Sequence, residues 1–200
     1  DILNLADPSD KNSDGISGKP SWVFDISSGK KVLGRFGWKA GQPTVRSQTE
    51  SAFLTDMGLS TERLNRPWGD CTKKQTECRN KIHGDSSAEV GIEVPKKFLE
   101  FVTFYAKNLA VPARRDINNP QVIAGKRVFM EAGCSGCHVP KFVTSRDAEQ
   151  KEHRFQLIWP YTDLLLHDMG EGLADGRPIG NANGREWRTA PLWGIGLTKI

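Results

Sequence analysis

Residues 130–142 read MEAGCSGCHVPKF, with Cys134 and Cys137 separated by Ser-Gly and His138 directly after the second cysteine. Three chemistries compete for this unit. A thioredoxin-like dithiol requires the pair to follow a strand and open a helix. Here an amphipathic pattern and a glycine precede it. A structural zinc site requires about four thiolate or imidazole ligands, and the only other cysteines, Cys71 and Cys78, lie far upstream. A covalently attached c-type haem requires the five-residue Cys-x-x-Cys-His unit: two thiols add to the haem vinyls and the adjacent histidine binds iron. The third chemistry uses every residue of the motif, with Cys134, Cys137 and His138 as attachment points and proximal ligand. A free dithiol is the competing redox reading.

Working outward, NPQVIAGKRVFMEAG (119–133) predicts an amphipathic helix that enters the motif, with Pro120 near its start and Gly133 closing it. EVPKKFLEFVTFYAKNLAVP (93–112) predicts a longer helix from Pro95 to Pro112. Its expected buried face is Phe98, Phe101, Val102, Tyr105 and Leu109. PTVRSQTESAFLTDMG (43–58) predicts a third, with Pro43 in its first turn and Gly58 as its C-cap. SWVFDISSGKKVLGRF (21–36) reads as two short strands around Ser-Gly-Lys, residues 64–87 as an irregular insertion, and the chain after His138 as mostly loop. The expected fold is mainly α and cytochrome c-type, loop-rich, with a small β-hairpin.

Composition narrows the setting. The 200 residues suffice for one large domain or two small ones. Twenty Gly and eleven Pro point to long, shaped loops. With 37% hydrophobic residues and no apolar run of about 18, no membrane span is expected. The net charge of +4 comes from scattered Lys and Arg without interleaved aromatics, so no nucleic-acid surface is expected. The charge reads as solvated surface, or as a weak preference for acidic redox partners. DCTKKQTEC (70–78) places Cys71 and Cys78 at disulfide spacing; that pairing implies an oxidising compartment, periplasmic or otherwise exported. Two unrelated thiols are the alternative. The chain starts at Asp1, so an export signal is expected to have been removed or to lie outside these residues.

Two further ligand sets are candidates. Asp10, Asn12 and Asp14 followed by Gly15 open like a Ca²⁺ loop, with Asp25 as a distant contributor. The closing glutamate is missing, since Ser21 stands there. An ordinary Asp/Asn/Gly turn is the other reading. For the sixth iron position, Met169 in LLLHDMGEG is the leading candidate and His167 the lesser one. Met130 lies on the wrong side of the motif, and a ligand from outside the chain is the remaining option.

Several stretches also resemble one family. DGISGKPSWV, GRFGWKAGQPTVRSQTESAFLTDMG, FVTFYAKNLAVPARR, FMEAGCSGCHVPKFVT, WPYTDLLLHDMGEGLADGRP and REWRTAPLWGIGL look like the bacterial di-haem oxidoreductases. Members are labelled peroxidases or thiol-oxidoreductase-like proteins. The family is related to di-haem cytochrome c peroxidases and to the di-haem enzyme that matures a tryptophan-derived quinone.

The resemblance covers nearly the whole chain and implies two c-type haems, of which this chain carries one motif. It therefore implies a fragment of a longer protein, whose other haem domain is a partner absent from this chain. It implies two regions: an inter-haem region over 1–111, with the candidate Ca²⁺ loop, hairpin and helices, and a cytochrome c-like domain over 112–200, incomplete at its end. By resemblance, Trp38 is an electron relay between haems, while Gln48 and Asp56 line the distal pocket of the other haem. The tryptophan-to-glutamine spacing matches the peroxidase pattern; the acid falls about two residues early and is Asp rather than Glu. A carboxylate there can move a proton between peroxide oxygens. Arg188, in an R-x-x-P-L segment, is the expected partner of a haem propionate. The implied activity is peroxide reduction or substrate oxidation through paired haems, fed by a redox donor protein. The alternative is a pure electron-transfer cytochrome without substrate chemistry.

Overall fold

The computed structural model describes residues 1–87 and 91–198, and the side chains of 86 and 87 are not described. The parts of the two sequence-defined regions that fall on 88–90 and 199–200 lie outside the described residues. Two compact units interleave along the chain. One comprises residues 23–37 and 41–109, and the other 1–22, 38–40 and 110–200. Residues 1–22 fall in the same unit as 110–200. In the structure those residues join the C-terminal stretch through backbone pairing: Lys19 N–H donates to Leu166 O at 3.0 Å and Leu166 N–H to Lys19 O at 2.8 Å.

Strands β1 (Trp22–Asp25) and β2 (Lys30–Leu33), which apart from Trp22 belong to the unit of residues 23–37 and 41–109, pair as a two-stranded sheet. The turn between them is organised by Asp25, whose carboxylate accepts from Ser27 N–H at 3.1 Å and from Ser27 Oγ. Those Ser27 bonds hold the Asp25 carboxyl below its ordinary pKa. Helix α1 (Val45–Met57) starts in a capping box: Thr44 Oγ1 accepts from Ser47 N–H and Ser47 Oγ from Thr44 N–H, each at 3.0 Å. It ends at Gly58, whose φ of +70° is a conformation only glycine adopts cheaply. A one-turn helix α2 (Thr76–Arg79) follows, and the disulfide joins Cys71 to Cys78, as its spacing led us to expect.

Helix α3 (Lys96–Lys107) packs on α1. Phe53, Val94 and Leu99 are buried, with Leu59 and Val102 against them. Each such side chain contributes about 1.5–3 kcal/mol of burial. Here the expected face is corrected. Phe98, Phe101, Tyr105 and Leu109 are exposed, and the buried positions are Leu99 and Thr103, with Val102 partly covered. Aromatic spacing marked a stripe rotated from the one that meets α1. The helix also stops at Asn108, before Pro112 can end it.

The second unit holds helix α4 (Pro120–Glu131), capped by the Asn119 side chain accepting from Gln121 N–H at 2.8 Å. After it come four very short strands: β3 (Phe142–Val143) with β4 (Leu157–Ile158), and β5 (Leu166–Asp168) with β6 (Glu186–Arg188). Both pairs are antiparallel, with His167 opposite Trp187 in the second. The stretch after His138, expected to be mostly loop, therefore carries two small sheets. Ala40, Leu166 and Ala182 form a small buried cluster in this unit. Across the described residues, four helices and three two-stranded sheets leave most of the chain irregular. The small hairpin and the loop-rich character agree with the expectation.

Candidate functional site

Helix α4 delivers the chain into the Cys-x-x-Cys-His loop. Gly133 turns it at φ +76°, and Cys134–Gly136 form a single 3₁₀ turn. His138 N–H donates to Cys134 O at 2.9 Å, closing the loop on itself. The segment from Tyr161 to His167 then grips the loop from outside. Asp163 N–H donates to Cys137 O at 2.9 Å, and Thr162 N–H to Val139 O at 3.0 Å. Tyr161 and Leu164 take left-handed φ values of +54° and +60°. Such backbone costs about 1–3 kcal/mol per residue and persists only where its surroundings enforce it.

His138 is oriented by one bond. Its Nδ1 lies 2.9 Å from Tyr161 O. A carbonyl only accepts, so Nδ1 carries the proton and Nε2 carries the lone pair. Among the described residues Nε2 has no hydrogen-bond partner. This is how a metal-binding imidazole is held, with its tautomer fixed by a backbone carbonyl behind it. Phe129 of α4 braces the assembly, with its ring 6.4 Å from the His138 ring and edge-on to Tyr161 at 5.6 Å.

Beside it lies a cleft of about 760 Å³, within the range of cofactor sites. Val122, Trp159, Tyr161 and Trp193 line its apolar wall, and Arg114 and Arg115 add two cations. Arg114 also stacks on Trp159 at 4.6 Å. Helix α4 buries none of its residues, and Val122, Ile123, Val128 and Met130 are all at least 40% exposed. An amphipathic helix with no buried face suits a large apolar group seated against it. Cys134, Cys137 and His138 do not themselves line this cleft; Tyr161, whose carbonyl holds His138, joins it to the motif. The two thiols and the imidazole are the donor set a covalently held haem requires, and the aromatic and guanidinium groups of the adjoining cleft suit its ring and its propionates. When bound, a haem supplies one-electron chemistry that no side chain provides. The residues' own tasks are to bind it, orient it and exclude water.

The remaining candidates are placed as follows. Cys134 is exposed and Cys137 half-buried, and both are free thiols. His167 is buried beside Cys137, its Nδ1 3.8 Å from the sulfur and its Nε2 2.7 Å from Asp163 Oδ2. Met169 is half-exposed, next to the Asp168–Arg185 ion pair at 2.7 Å. Arg188 N–H donates to Trp38 O at 2.9 Å, and its Nη1 to Thr189 O at 3.2 Å. Burial pulls the Arg188 guanidinium below its ordinary pKa. Arg188 does not line the cleft; Arg114 and Arg115 do.

Trp38 is largely exposed at 77% and belongs to the unit that holds the motif, while Gln48 and Asp56 belong to the other. Gln48 Oε1 is buried on α1, and Asp56 is exposed and accepts from Thr55 Oγ1 at 3.1 Å. A smaller polar cavity of about 180 Å³ in that unit is lined by Ser47, Glu50, Thr55 and Arg63 rather than by either of them.

In the Asp10–Gly15 loop, the side-chain oxygens accept from backbone amides. Asp10 takes Asp14 and Gly15 N–H, and Asp14 takes Ile16 N–H. These are Asx-type turns. Among the described residues, no group of three or more His, Cys, Asp or Glu gathers in metal-holding geometry. Tyr161, Asp163, Phe129, Arg114 and Arg115 were missed as site residues. Only Tyr161 and Asp163 carry a sequence signal, through their place just after the motif in a polar-flanked apolar stretch.

A tethered histidine behind two thiols, beside an aromatic cleft with arginines, defines a redox protein whose residues fit a haem. Comparison with known families narrows this. The chain belongs to the family described as "Di-haem oxidoreductase, putative peroxidase", whose model matches residues 1–200. No curated protein and no solved structure gives a significant match to the chain.

Proposed function

We propose that the chain carries one c-type haem, bonded through Cys134 and Cys137, with His138 as proximal ligand. The observation that carries this is the Nδ1 bond from His138 to Tyr161 O at 2.9 Å, which aims the lone pair of Nε2 away from the protein backbone. Arg114 and Arg115, which line the adjoining cleft, are the cations proposed to pair with propionates. Met169 is the leading candidate for the sixth ligand, because both nitrogens of His167 face other partners.

In this reading the haem passes electrons between a donor protein and a second haem, where peroxide is reduced or a substrate oxidised. Trp38 relays them, and Gln48 and Asp56 serve the second site. The Cys71–Cys78 disulfide supports an exported, periplasmic setting. Intact mass of the chain matured in an oxidising compartment with c-type haem assembly is the test. Added mass of one haem is expected, lost in Cys137→Ala together with Cys134→Ala; unchanged polypeptide mass in the wild type refutes it.

The exposure of Asp56 keeps a second reading in view, a pure electron-transfer protein. A second haem that is six-coordinate and inert to carbon monoxide and peroxide favours that reading; a high-spin, peroxide-reactive one favours the enzyme.

A further inference from the structure

Cys134 and Cys137 differ in a way the motif does not predict. Cys134 is exposed and has no side-chain partner among the described residues. Cys137 is half-buried, and its sulfur faces His167 Nδ1 at 3.8 Å. His167 is itself fixed, because its Nε2 meets Asp163 Oδ2 at 2.7 Å. Asp163 is fixed in turn: its Oδ1 accepts from Leu165 N–H at 2.9 Å, and its own N–H returns to Cys137 O at 2.9 Å. The result is a closed ring of contacts running Cys137, His167, Asp163 and back to Cys137. Asp163 and His167 are 2% and 8% exposed, so neither is placed to meet a partner protein. The left-handed backbone at Leu164 lets the two side chains, four residues apart, turn toward each other. Gly18 packs against the imidazole; a Cβ there would stand 2.9 Å from His167 Cε1 and 3.2 Å from Nε2.

The geometry points to a positioning role for Asp163 and His167: together they hold the Cys137 sulfur where it closes the second thioether to the haem. The inference rests on the haem reading above. In that step the Cys137 S–H bond breaks, an S–C bond forms to the inner vinyl carbon, and the hydrogen ends on the outer vinyl carbon. No oxidant or reductant is consumed. Cys134, unrestrained, forms its thioether without help. Cys137 must reach the second vinyl from a half-buried position, where a misplacement of about 1 Å costs on the order of a hundredfold in rate.

The test is the pattern of attachment in the full chain, matured with c-type haem assembly. The wild type is expected to hold haem by two thioethers. In His167→Ala and Asp163→Asn, the doubly attached fraction is expected to fall about tenfold or more, leaving haem on Cys134 alone. Two readouts report this: an alkylatable Cys137 in the peptide mass map, and a red-shifted α-band of the pyridine derivative from the unreacted vinyl. A merely structural role changes haem yield without producing that single-thioether signature. Gly18→Ala leaves both side chains chemically intact but displaces the imidazole, and it is expected to give the same signature in part. Wild-type levels of double attachment in both Asp163→Asn and Gly18→Ala overturn the positioning role, whatever His167→Ala does. A wild type without covalent haem overturns the haem reading itself, and that outcome is distinct.

Discussion

Lys39 is 1% exposed, and its ammonium has three partners. It lies 2.8 Å from Asp175 Oδ1, 2.9 Å from Asn183 O and 4.3 Å from the Trp187 ring centroid. Lys39→Met keeps most of the apolar stem and removes the charge. The bond from the cation to the Asn183 carbonyl is of the charge-assisted kind, worth about 1.5–3 kcal/mol. The contact with Trp187 adds about 0.5–2 kcal/mol. The Asp175 side chain is a third exposed and regains water, so no further loss is assigned to it. The expected destabilisation is about 2–5 kcal/mol, seen as a fall of about 1–2.5 M in the urea midpoint of the unit holding the motif.

The effect also depends on pH with a fixed sign. The hydrogen bond from Lys39 holds the Asp175 carboxyl below its ordinary 3.8. That stabilisation is present above 3.8 and lost as the pH falls through the lower folded value. The gap between wild type and Lys39→Met therefore narrows in acid. Loss below about 1 kcal/mol at neutral pH, or a gap that widens on acidification, refutes the assignment. Because Trp38 O accepts from Arg188 N–H one residue away, the same variant is expected to loosen Trp38, measured as faster quenching of its fluorescence.

Leu99→Ala removes a 1%-exposed side chain from the cluster with Phe53 and Val94 and is expected to cost about 2–5 kcal/mol in chemical unfolding. Replacing both Cys71 and Cys78 with Ser opens a short covalent loop and is expected to cost about 2–3 kcal/mol, read from the same unfolding curves under oxidising conditions. Gly58→Ala forces a Cβ into the left-handed C-cap of α1 at φ +70° and is expected to cost about 1 kcal/mol. An unchanged midpoint would count against that cap.

What the sequence showed and what it hid follow from length scale. The three long helices were legible because each has a cap or breaker at its ends: Thr44 and Gly58, Pro95, Asn119 and Pro120. Strands β3 to β6 span two or three residues each, too short for a period of two to register. The face of α3 was misread because Phe98, Phe101 and Tyr105 outweigh Leu99 in any hydrophobic pattern, yet α1 meets the smaller residues. The Cys-x-x-Cys-His unit was legible because its chemistry is local.

The group that supports that unit was not legible, because it is assembled from backbone. His138 is oriented by a carbonyl, at Tyr161, and carbonyls leave no trace in a residue list. Asp163 and His167 stand four apart outside any helix, where no helical spacing applies, and Leu164 between them adopts φ +60°. A leucine in that conformation is disfavoured on its own and must be held by its surroundings. Here the holding contacts are the bonds to Cys137 and Val139. The loop and its clamp thus stabilise each other, and a substitution in either is expected to be felt first at the Cys137 sulfur.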